Sequence, residues 1–353
     1  MTALLDVRDL AKRFDADVSV FGRVRSTVKA VDGVSFQIAA GETLALVGES
    51  GCGKSTIGRL VLRLIEASEG TVTFEGADLG GLDEKALRAM RRHAQLIFQD
   101  PFASLNPRMT VGDILAEPLM LHAIVPASER AARVSALLAE VGLQPHHAQR
   151  YPHEFSGGQR QRIAIARAIA VEPKLIVCDE PVSALDVSIR AQILNLLRDL
   201  QKRRGLALLF ISHDLAVVKH IAARVAVMYL GRIVETAETD ALFADPRHPY
   251  TRALLSAIPV AAPGIARSRQ TLEGDVPSPL NPPPGCHLHT RCPFAVDICR
   301  TQRPALAADA TGHAVACHRA GDLPPAGTIV PREAVADSRL EKLIAAFEEK
   351  APA

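Results

Sequence analysis

The sequence feature that most constrains this chain is the stretch from Gly48 to Thr56, which fits the pattern G-x-x-x-x-G-K-[ST] at every fixed position. The stretch consists of Gly48, Glu49, Ser50, Gly51, Cys52, Gly53, Lys54, Ser55 and Thr56. An apolar run at 44–47 precedes it and a helix-like run at 57–64 follows it, which is the strand–loop–helix order that the pattern requires. Its glycines allow backbone N–H groups to turn toward phosphate oxygens at the positive end of a helix. We therefore expect a nucleotide-binding loop, with Lys54 on the phosphates and the Ser55 hydroxyl on Mg²⁺.

Strand-like and helix-like stretches alternate along the rest of the chain, which predicts an α/β protein with a parallel sheet. Short alternating strands are predicted at 5–8, 28–31, 34–38 and 71–74, with a turn at Asp32-Gly33. Helices are predicted at 83–92, 128–141, 159–170 and 186–204. A strand is predicted at 95–98, and buried strands are predicted at 175–178 and 206–211. The chain has 353 residues, enough for a nucleotide-binding domain and an extension.

A second set of polar residues follows the buried run at 175–178, which ends in Asp179 and Glu180. Asp179 suits a Mg²⁺ ion held mainly through water, and Glu180 is placed to act as general base toward the attacking water. A second anion-binding turn precedes the helix predicted at 159–170 and consists of Ser156, Gly157, Gly158 and Gln159. The chain thus has two anion-binding sites, the phosphate loop and this turn, and the presence of both for one nucleotide requires an explanation.

With these motifs the chain resembles the ATP-binding-cassette (ABC) ATPases over about residues 5–240. Gln99 matches the Q-loop of that family and His213 its switch histidine, and the D-loop is matched by Ser183, Ala184, Leu185 and Asp186. The resemblance implies an α/β fold of the P-loop NTPase class, with a RecA-like parallel core, an antiparallel β lobe and an inserted helical subdomain at about 100–170. It implies ATP and Mg²⁺, the ion held through Ser55, Gln99 and Asp179, with Glu180, His213 and Gln99 as the catalytic residues.

The same resemblance explains the second anion-binding turn. In the family this signature loop faces the γ-phosphate held by a second ABC ATPase subunit, identical or paralogous, so the resemblance implies a dimer driven together by ATP. An aromatic ring near the N-terminus stacks on adenine in the family, and Phe14 is the candidate here, with Phe21 as a competitor.

Finer resemblance is to the importer ATPases for peptides and nickel, and it is carried by residues 99–111, 151–155 and 248–255. It implies uptake of di- or oligopeptides, or of nickel or glutathione, with two transmembrane permease subunits and, indirectly, an external solute-binding protein. A twin-cassette protein is disfavoured because the chain has one phosphate loop, and a repair or chromosome ATPase because Gln99 and Ser156 are too close for a long insertion.

The location that we expect is the cytoplasmic face of the inner membrane, as a peripheral subunit. No uncharged apolar stretch of about 18 residues is present, and Met1 to Leu10 is not a signal peptide. The alternative from another class is a soluble ABC-type ATPase with a metal-binding module acting on nucleic acid. The net charge of +2 decides nothing, but the lack of a basic stripe disfavours nucleic acid as a partner.

Six cysteines occur, of which Cys52 and Cys178 are expected to be structural. The other four follow the spacing C-x₅-C-x₆-C-x₁₇-C and are Cys286, Cys292, Cys299 and Cys317. This spacing in a reducing compartment favours a 4Fe-4S cluster, as does the resemblance. Zinc is less favoured but stays open because three histidines lie beside the cysteines, namely His287, His289 and His318. The absence of any metal also stays open.

These patterns divide the chain into a nucleotide-binding domain at 1–245, an extension carrying the four cysteines at 246–330 and a tail at 331–353. In the tail a helix with a capping box at Ser338 and Glu341 is predicted. Its apolar positions are Leu340, Leu343, Ile344 and Phe347. We expect this helix to dock on its own domain rather than on a partner.

Overall fold

The structure is a computed structural model that describes residues 3–18, 24–258, 272–324 and 342–346. Its strands form where the sequence has alternating or continuous apolar runs. The strands are β1 Leu5–Val18, β2 Val24–Ile38, β3 Thr43–Val47, β4 Glu69–Phe74, β5 Ala77–Asp78, β6 Ala94–Ile97, β7 Leu175–Asp179, β8 Ala207–Ser212, β9 Arg224–Tyr229, β10 Arg232–Glu238, β11 Ala307–Ala308 and β12 Ala314–Val315. The helices are α1 Lys54–Val61, α2 Glu84–Arg91, α3 Pro101–Ser104, α4 Val111–Leu121, α5 Arg130–Glu140, α6 Gly157–Ile169, α7 Val187–Arg204, α8 Leu215–Ile221, α9 Thr239–Ala244, α10 Pro249–Ser256 and α11 Asp297–Thr301. Five predicted positions lie outside the described residues, namely Phe21, Ser338, Leu340, Glu341 and Phe347.

The chain forms two compact units. The first contains Met1–Ala39, Thr43–Gly80 and Ser212–Arg339, and the second contains Ala40–Glu42, Gly81–Ile211 and Leu340–Ala353. The phosphate loop and the four clustered cysteines belong to the first unit, whereas Gln99, Glu180 and the signature turn belong to the second.

The first unit holds an antiparallel sheet with the strand order β2-β1-β4-β5. The strands predicted at 28–31 and 34–38 are one strand, so the turn predicted at Asp32-Gly33 is wrong. Gly33 has a φ of 76° and forms a bulge, because Leu10 pairs with Val34 whereas Ala11 pairs with Asp32. A glycine with a positive φ is found in bulges as well as in turns. Here the pairing with the neighbouring strand β1 shows that Gly33 forms a bulge.

Five further strands of the first unit pair in the order β3-β9-β10-β12-β11. β3 and β9 are parallel, and β9, β10, β12 and β11 are joined by antiparallel pairing. The residues that follow position 245 therefore contribute two short strands beside β10. The backbone of Ala316 continues this contact by donating to Val234 O at 2.8 Å.

The second unit holds three parallel strands in the order β6-β7-β8, all three predicted from apolar runs. The four helices predicted in this unit form as α2, α5, α6 and α7, whereas α3 and α4 are not predicted from the sequence. Asp83 caps α2 by accepting from Ala86 N at 2.7 Å, and Gly205 ends α7 with a φ of 63°. The parallel arrangement places the carboxyl ends of β6 and β7 at one edge of the sheet, where Gln99 and Glu180 lie.

A short helical segment at 342–346 docks on the second unit, as the sequence predicts. Ile344 is buried against Ala191 of α7, and its carbonyl oxygen accepts from Asn195 Nδ2 at 3.0 Å. Leu343 packs beside it. Within the described part of the chain, no helix is both long enough and apolar enough to cross a membrane.

Candidate active site

The predicted phosphate loop connects β3, whose five residues are all buried, to α1. Gly48, Gly51 and Gly53 have φ angles of 154°, 80° and 106°, a region that favours glycine. A Cβ at Gly48 would overlap the carbonyl oxygen of Met228, and a Cβ at Gly53 would overlap that of Ala30. Glycine is therefore required at Gly48 and Gly53 by close packing as well as by backbone conformation.

We expect Gly48→Ala to lower the free energy of unfolding by about 2–3 kcal/mol, because its methyl group must displace the main chain at Met228. Gly76→Ala is the matched control: Gly76 also has a positive φ, of 82°, but a Cβ there meets no atom within 4 Å. Its expected loss is about 1 kcal/mol. Guanidinium unfolding of the full chain measures both losses, and equal losses would contradict the steric argument.

Lys54 is 5% exposed, and its ammonium group lies inside the loop. Nζ donates to the carbonyl oxygens of Gly48 at 2.8 Å and Glu49 at 2.9 Å. Burial raises the pKa of Cys52, so its thiol stays protonated. Ser55 follows Lys54 and is half-buried. The first turn of α1 contains no acidic residue, so the positive end of this helix favours an anion.

The predicted adenine ring partner, Phe14, lies on β1 opposite Val28. Its side chain is 40% exposed, and Lys12 Nζ lies 5.1 Å from the centre of the ring. The ring therefore has exposed surface on which a base could stack. His213, the predicted switch histidine, is exposed and directly follows β8, one residue before Asp214 caps α8.

Glu180 and Gln99 lie together at the carboxyl ends of β7 and β6. Gln99 Nε2 donates to Glu180 Oε2 at 3.2 Å. These strands are parallel, with Ile97 opposite Cys178, so the residues that follow them meet at the same edge. Glu180 has a φ of 46°, in the left-handed region that costs a non-glycine residue energy, and its N–H donates to Ile211 O at 3.0 Å. This conformation is typical of a functional residue held by its surroundings.

Asp179 is the last residue of β7 and is 7% exposed. Cys178 beside it is fully buried, and burial raises its pKa far above the usual range, which agrees with a structural thiol. The predicted D-loop begins one turn later, where Ser183 Oγ donates to Glu180 O at 3.1 Å. Ala184 and Asp186 are exposed, whereas Leu185 is half-buried.

The signature turn forms the N-terminus of the 13-residue helix α6. Ser156 Oγ accepts from Gln159 N at 3.3 Å, and Gln159 Oε1 accepts from Ser156 N at 3.1 Å, which completes a capping box. A Cβ at Gly158 would overlap the side chain of Ile189 on α7, whereas a Cβ at Gly157 would meet Leu185 at 3.7 Å. Ser156 is exposed, so its face of the turn is open to a partner.

Two arginines of α6 contact the segment that follows Gln99. Arg160 stacks on Phe102 with its Cζ 3.8 Å from the ring centre, and Arg167 Nη1 donates to Ser104 O at 2.5 Å. Phe102 and Ser104 both belong to α3. A displacement of Gln99 would therefore reach α6 directly. The sequence pattern does not reveal either arginine, since both read as ordinary polar positions of an amphipathic helix.

The four clustered cysteines line one small cavity together with His289 and His318. All four are free thiols in the structure. Burial raises the pKa of Cys286 to about 11 and also raises the pKa of Cys292 and of Cys317. Among the described residues, no group of three or more His, Cys, Asp or Glu side chains is arranged so that it could hold a metal ion. The structure therefore gathers the predicted ligands but does not support a formed metal site.

The three histidines that keep zinc open as an alternative are not grouped as ligands in the structure. His289 Nδ1 lies 2.9 Å from Cys286 O, and His318 Nε2 lies 3.0 Å from Gln302 O, so each ring already has a backbone partner. His287 is buried and lines another cavity.

Two further side chains contact the phosphate loop at Glu49 and have no role in the sequence-based prediction. They are Tyr250 and Arg291, which lie 201 and 242 positions away along the chain. No local pattern could have indicated these contacts.

Comparisons with known proteins identify the family. The family described as "ABC transporter" matches residues 31–183, and "Oligopeptide/dipeptide transporter, C-terminal region" matches residues 234–299. The "Probable peptide ABC transporter ATP-binding protein" of Sinorhizobium fredii is 54% identical over 342 residues, 97% of this chain and 96% of that protein. The oligopeptide transport ATP-binding protein AppF of Bacillus subtilis is 54% identical over 318 residues, 89% of this chain and 97% of AppF.

Among solved structures, the dimeric post-hydrolysis state of the ATP-binding cassette MJ0796, bound to ADP and Pi, is similar with a TM-score of 0.60 and 27% identity. The match covers 67% of this chain and 98% of the cassette. The phosphate loop, Asp179 and Glu180 lie inside the part that matches the ABC transporter family. By this fold and by its full-length relatives, the chain belongs to the ATP-binding proteins of ABC transporters and is an ABC-type ATPase.

Proposed function

We propose that this chain is the ATP-hydrolysing subunit of an importer for di- or oligopeptides, or for a related solute such as nickel or glutathione. The observation that carries the proposal is the likeness to AppF, an oligopeptide transport ATP-binding protein, over 89% of the chain. The match of residues 234–299 to the C-terminal region of oligopeptide/dipeptide transporters supports the same class. The comparisons give no support to the alternative of a nucleic-acid ATPase.

In this proposal the loop Gly48–Thr56 binds the phosphates of ATP. Its backbone N–H groups and the N-terminus of α1 favour negative charge, and Lys54 exchanges its carbonyl partners for phosphate oxygens. The oxygen donors of Ser55 and Asp179 suit Mg²⁺, which when bound neutralises charge on the phosphates. Phe14 supplies a partly exposed ring for the base.

Glu180 orients and deprotonates the attacking water in this proposal. The carboxylate is already held by the amide of Gln99, so a general base and a water-positioning group lie side by side. His213, exposed after β8, is the donor assigned to the γ-phosphate. The division of roles follows ordinary phosphoryl-transfer chemistry, in which the protein positions water and stabilises charge.

The signature turn Ser156–Gln159 is proposed to complete the ATP site of a second ABC ATPase subunit, identical or paralogous. Its exposed serine and the N-terminus of a long helix offer a dipole for phosphate. The dimeric state of MJ0796 bound to ADP and Pi supports this arrangement by likeness. The D-loop, Ser183–Asp186, follows Glu180 closely enough to report the same event.

Transport requires that hydrolysis move the partner that carries the solute. We assign this coupling to the contact of α3 with α6, through which Gln99 can displace the helical subdomain at about 100–170. The partners are two permease subunits and, indirectly, an external solute-binding protein, at the cytoplasmic face of the inner membrane. The boundaries of 1–245 for the ATPase domain, 246–330 for the extension and 331–353 for the tail belong to this proposal.

Purification from membranes tests the assignment. We expect the tagged chain to be recovered in the membrane fraction together with two hydrophobic partners, and its ATPase activity to rise when solute and binding protein are added. Salt-sensitive binding to DNA, with recovery that is independent of membranes, would contradict transport and favour the nucleic-acid alternative.

The four cysteines are proposed to bind a 4Fe-4S cluster in the loaded protein. The support is that all four thiols line one cavity and that thiolates are the usual ligands of such clusters. Because no three of the described thiols are arranged as ligands, binding requires their side chains to rearrange. The cluster has no assigned step in ATP hydrolysis.

Anaerobic purification checks this assignment. We expect iron and sulfide with visible charge-transfer absorption, lost in Cys292→Ser because one of four ligands is missing, and retained in the control variant His289→Ala. Colourless protein with stoichiometric zinc, or with no metal, would overturn the iron–sulfur assignment.

A further inference from the structure

Two side chains from the region after residue 245 hold one residue of the phosphate loop. Glu49 N donates to Tyr250 Oη at 2.8 Å. Arg291 forms a forked ion pair with the same residue, with Nη1 3.2 Å from Oε2 and Nη2 3.5 Å from Oε1. All three residues belong to the first compact unit.

Tyr250 is held rigidly. It is fully buried on α10, and its ring centre lies 4.7 Å from that of Tyr229. Burial raises the pKa of Tyr250 above its usual range, so the hydroxyl stays protonated. The start of α10 is fixed in turn by the buried Glu235, whose carboxylate accepts from His248 N at 3.0 Å and lies 2.7 Å from His313 Nε2.

Arg291 is equally constrained. Its side chain is 9% exposed, against 30% for that of Glu49. Nη1 also lies 3.5 Å from Tyr229 Oη. The Arg291 guanidinium is therefore withdrawn from solvent, and its ion pair is screened less by water than a surface pair would be.

The consequence for the loop is that Glu49 is fixed at three points. Its N–H is bound by Tyr250, its carbonyl oxygen accepts from Lys54 Nζ at 2.9 Å, and its carboxylate is bound by Arg291. A free carboxylate at this position would repel an incoming nucleoside triphosphate, because both are negatively charged. Arg291 removes that repulsion and Tyr250 fixes the peptide.

We propose that Tyr250 and Arg291 are positioning residues of the nucleotide site, through which the C-terminal region preorganises the phosphate loop and neutralises Glu49. The inference rests on the proposed function of Gly48–Thr56 as the ATP-binding loop. It makes the C-terminal region part of the nucleotide site rather than an independent appendage.

Titration of the full chain with a fluorescent ATP analogue and Mg²⁺ tests the inference. We expect Arg291→Ala to raise the Kd by about tenfold and Tyr250→Phe by about fivefold, since each removes one constraint on Glu49. Arg291→Lys should recover part of the loss, because it retains the charge without the fork. KM for ATP should rise in parallel, while kcat at saturating ATP stays within about twofold, because a preorganised loop binds ground and transition states alike.

A double-mutant cycle separates positioning from a merely structural role. In Glu49→Gln the carboxylate is absent, so adding Arg291→Ala should raise the Kd by less than about twofold. The matched control is Arg300→Ala, an exposed arginine of α11 in the same region, for which we expect wild-type affinity. Thermal unfolding of each variant reports changes in stability separately.

Failure of the positioning role and failure of the ATP-binding role of the loop give different results in the titration. Retention of ATP affinity in Lys54→Ala would overturn the assignment of the loop itself. Loss in Lys54→Ala with wild-type affinity in Arg291→Ala and Tyr250→Phe would overturn only the positioning inference. Additive losses in the cycle, or a lower unfolding midpoint without a change in Kd, would overturn it as well.

Discussion

Glu180→Gln should lower kcat for ATP hydrolysis by about 10²–10⁴-fold while ATP affinity stays within about twofold of wild type. The amide is nearly the same size as the carboxylate but cannot take a proton from water. The amide oxygen can still accept from Gln99 Nε2, so the geometry at the end of β7 is retained. Single-turnover hydrolysis and nucleotide titration measure the two quantities separately.

The same variant should accumulate an ATP-bound dimer, because the γ-phosphate that both subunits bind is no longer removed. Size-exclusion chromatography with and without ATP detects it. Glu129→Gln is the control: Glu129 is an exposed glutamate in the same unit, and the change should leave turnover and assembly as in wild type. Near-normal turnover of Glu180→Gln would remove Glu180 from the role of general base.

The position of Glu180 beside Gln99 illustrates what local patterns can reveal. Gln99 follows the strand predicted at 95–98, and Glu180 lies just beyond the continuous apolar run at 175–178, which is typical of a buried parallel strand. Once β6 and β7 pair in parallel, their following residues must meet at one edge, whatever the rest of the chain does. The capping box at Ser156 is equally local, since its two hydrogen bonds join residues three positions apart.

Features that depend on distant parts of the chain could not be predicted. The bulge at Gly33 required knowledge of β1, and the strand β1 itself runs to Val18, far beyond the alternating run at 5–8. Tyr250 and Arg291 read as an ordinary helical aromatic and an ordinary cation in a proline-rich segment. Their contact with Glu49 exists only because folding brings α10 and residue 291 to the loop.

The grouping of the four cysteines could be predicted from the sequence, but their chemical state could not. Their spacing predicts a cluster, and the structure does bring all four to one cavity. Spacing cannot predict the state of the thiols, however, since burial raises the pKa of Cys286, Cys292 and Cys317 and metal binding requires thiolates. Arg291 directly precedes Cys292, so the same short segment supplies one thiol to that cavity and one cation to Glu49.

A mixture of two inactive variants provides the strongest test of the composite site. Lys54→Ala and Ser156→Arg should each abolish turnover, the first by removing phosphate affinity and the second by blocking the signature turn at the start of α6. In a symmetric homodimer, an equal mixture gives mixed pairs with one fully intact site, formed by the loop of one subunit and the turn of the other. About a quarter of wild-type activity should then return, because about half of the dimers are mixed and one of their two sites is intact.

The control places both changes in one chain and mixes it with wild-type protein. Every mixed dimer then carries one defective half in each site, so the mixture should show no activity beyond that of the wild-type dimers present. Glu180→Gln shows beforehand whether the chain pairs with itself, because an ATP-trapped dimer of the single protein establishes homodimerisation. If that dimer forms and the two single variants still fail to complement, the loop from Gly48 to Thr56 and the turn from Ser156 to Gln159 do not share a nucleotide across the pair.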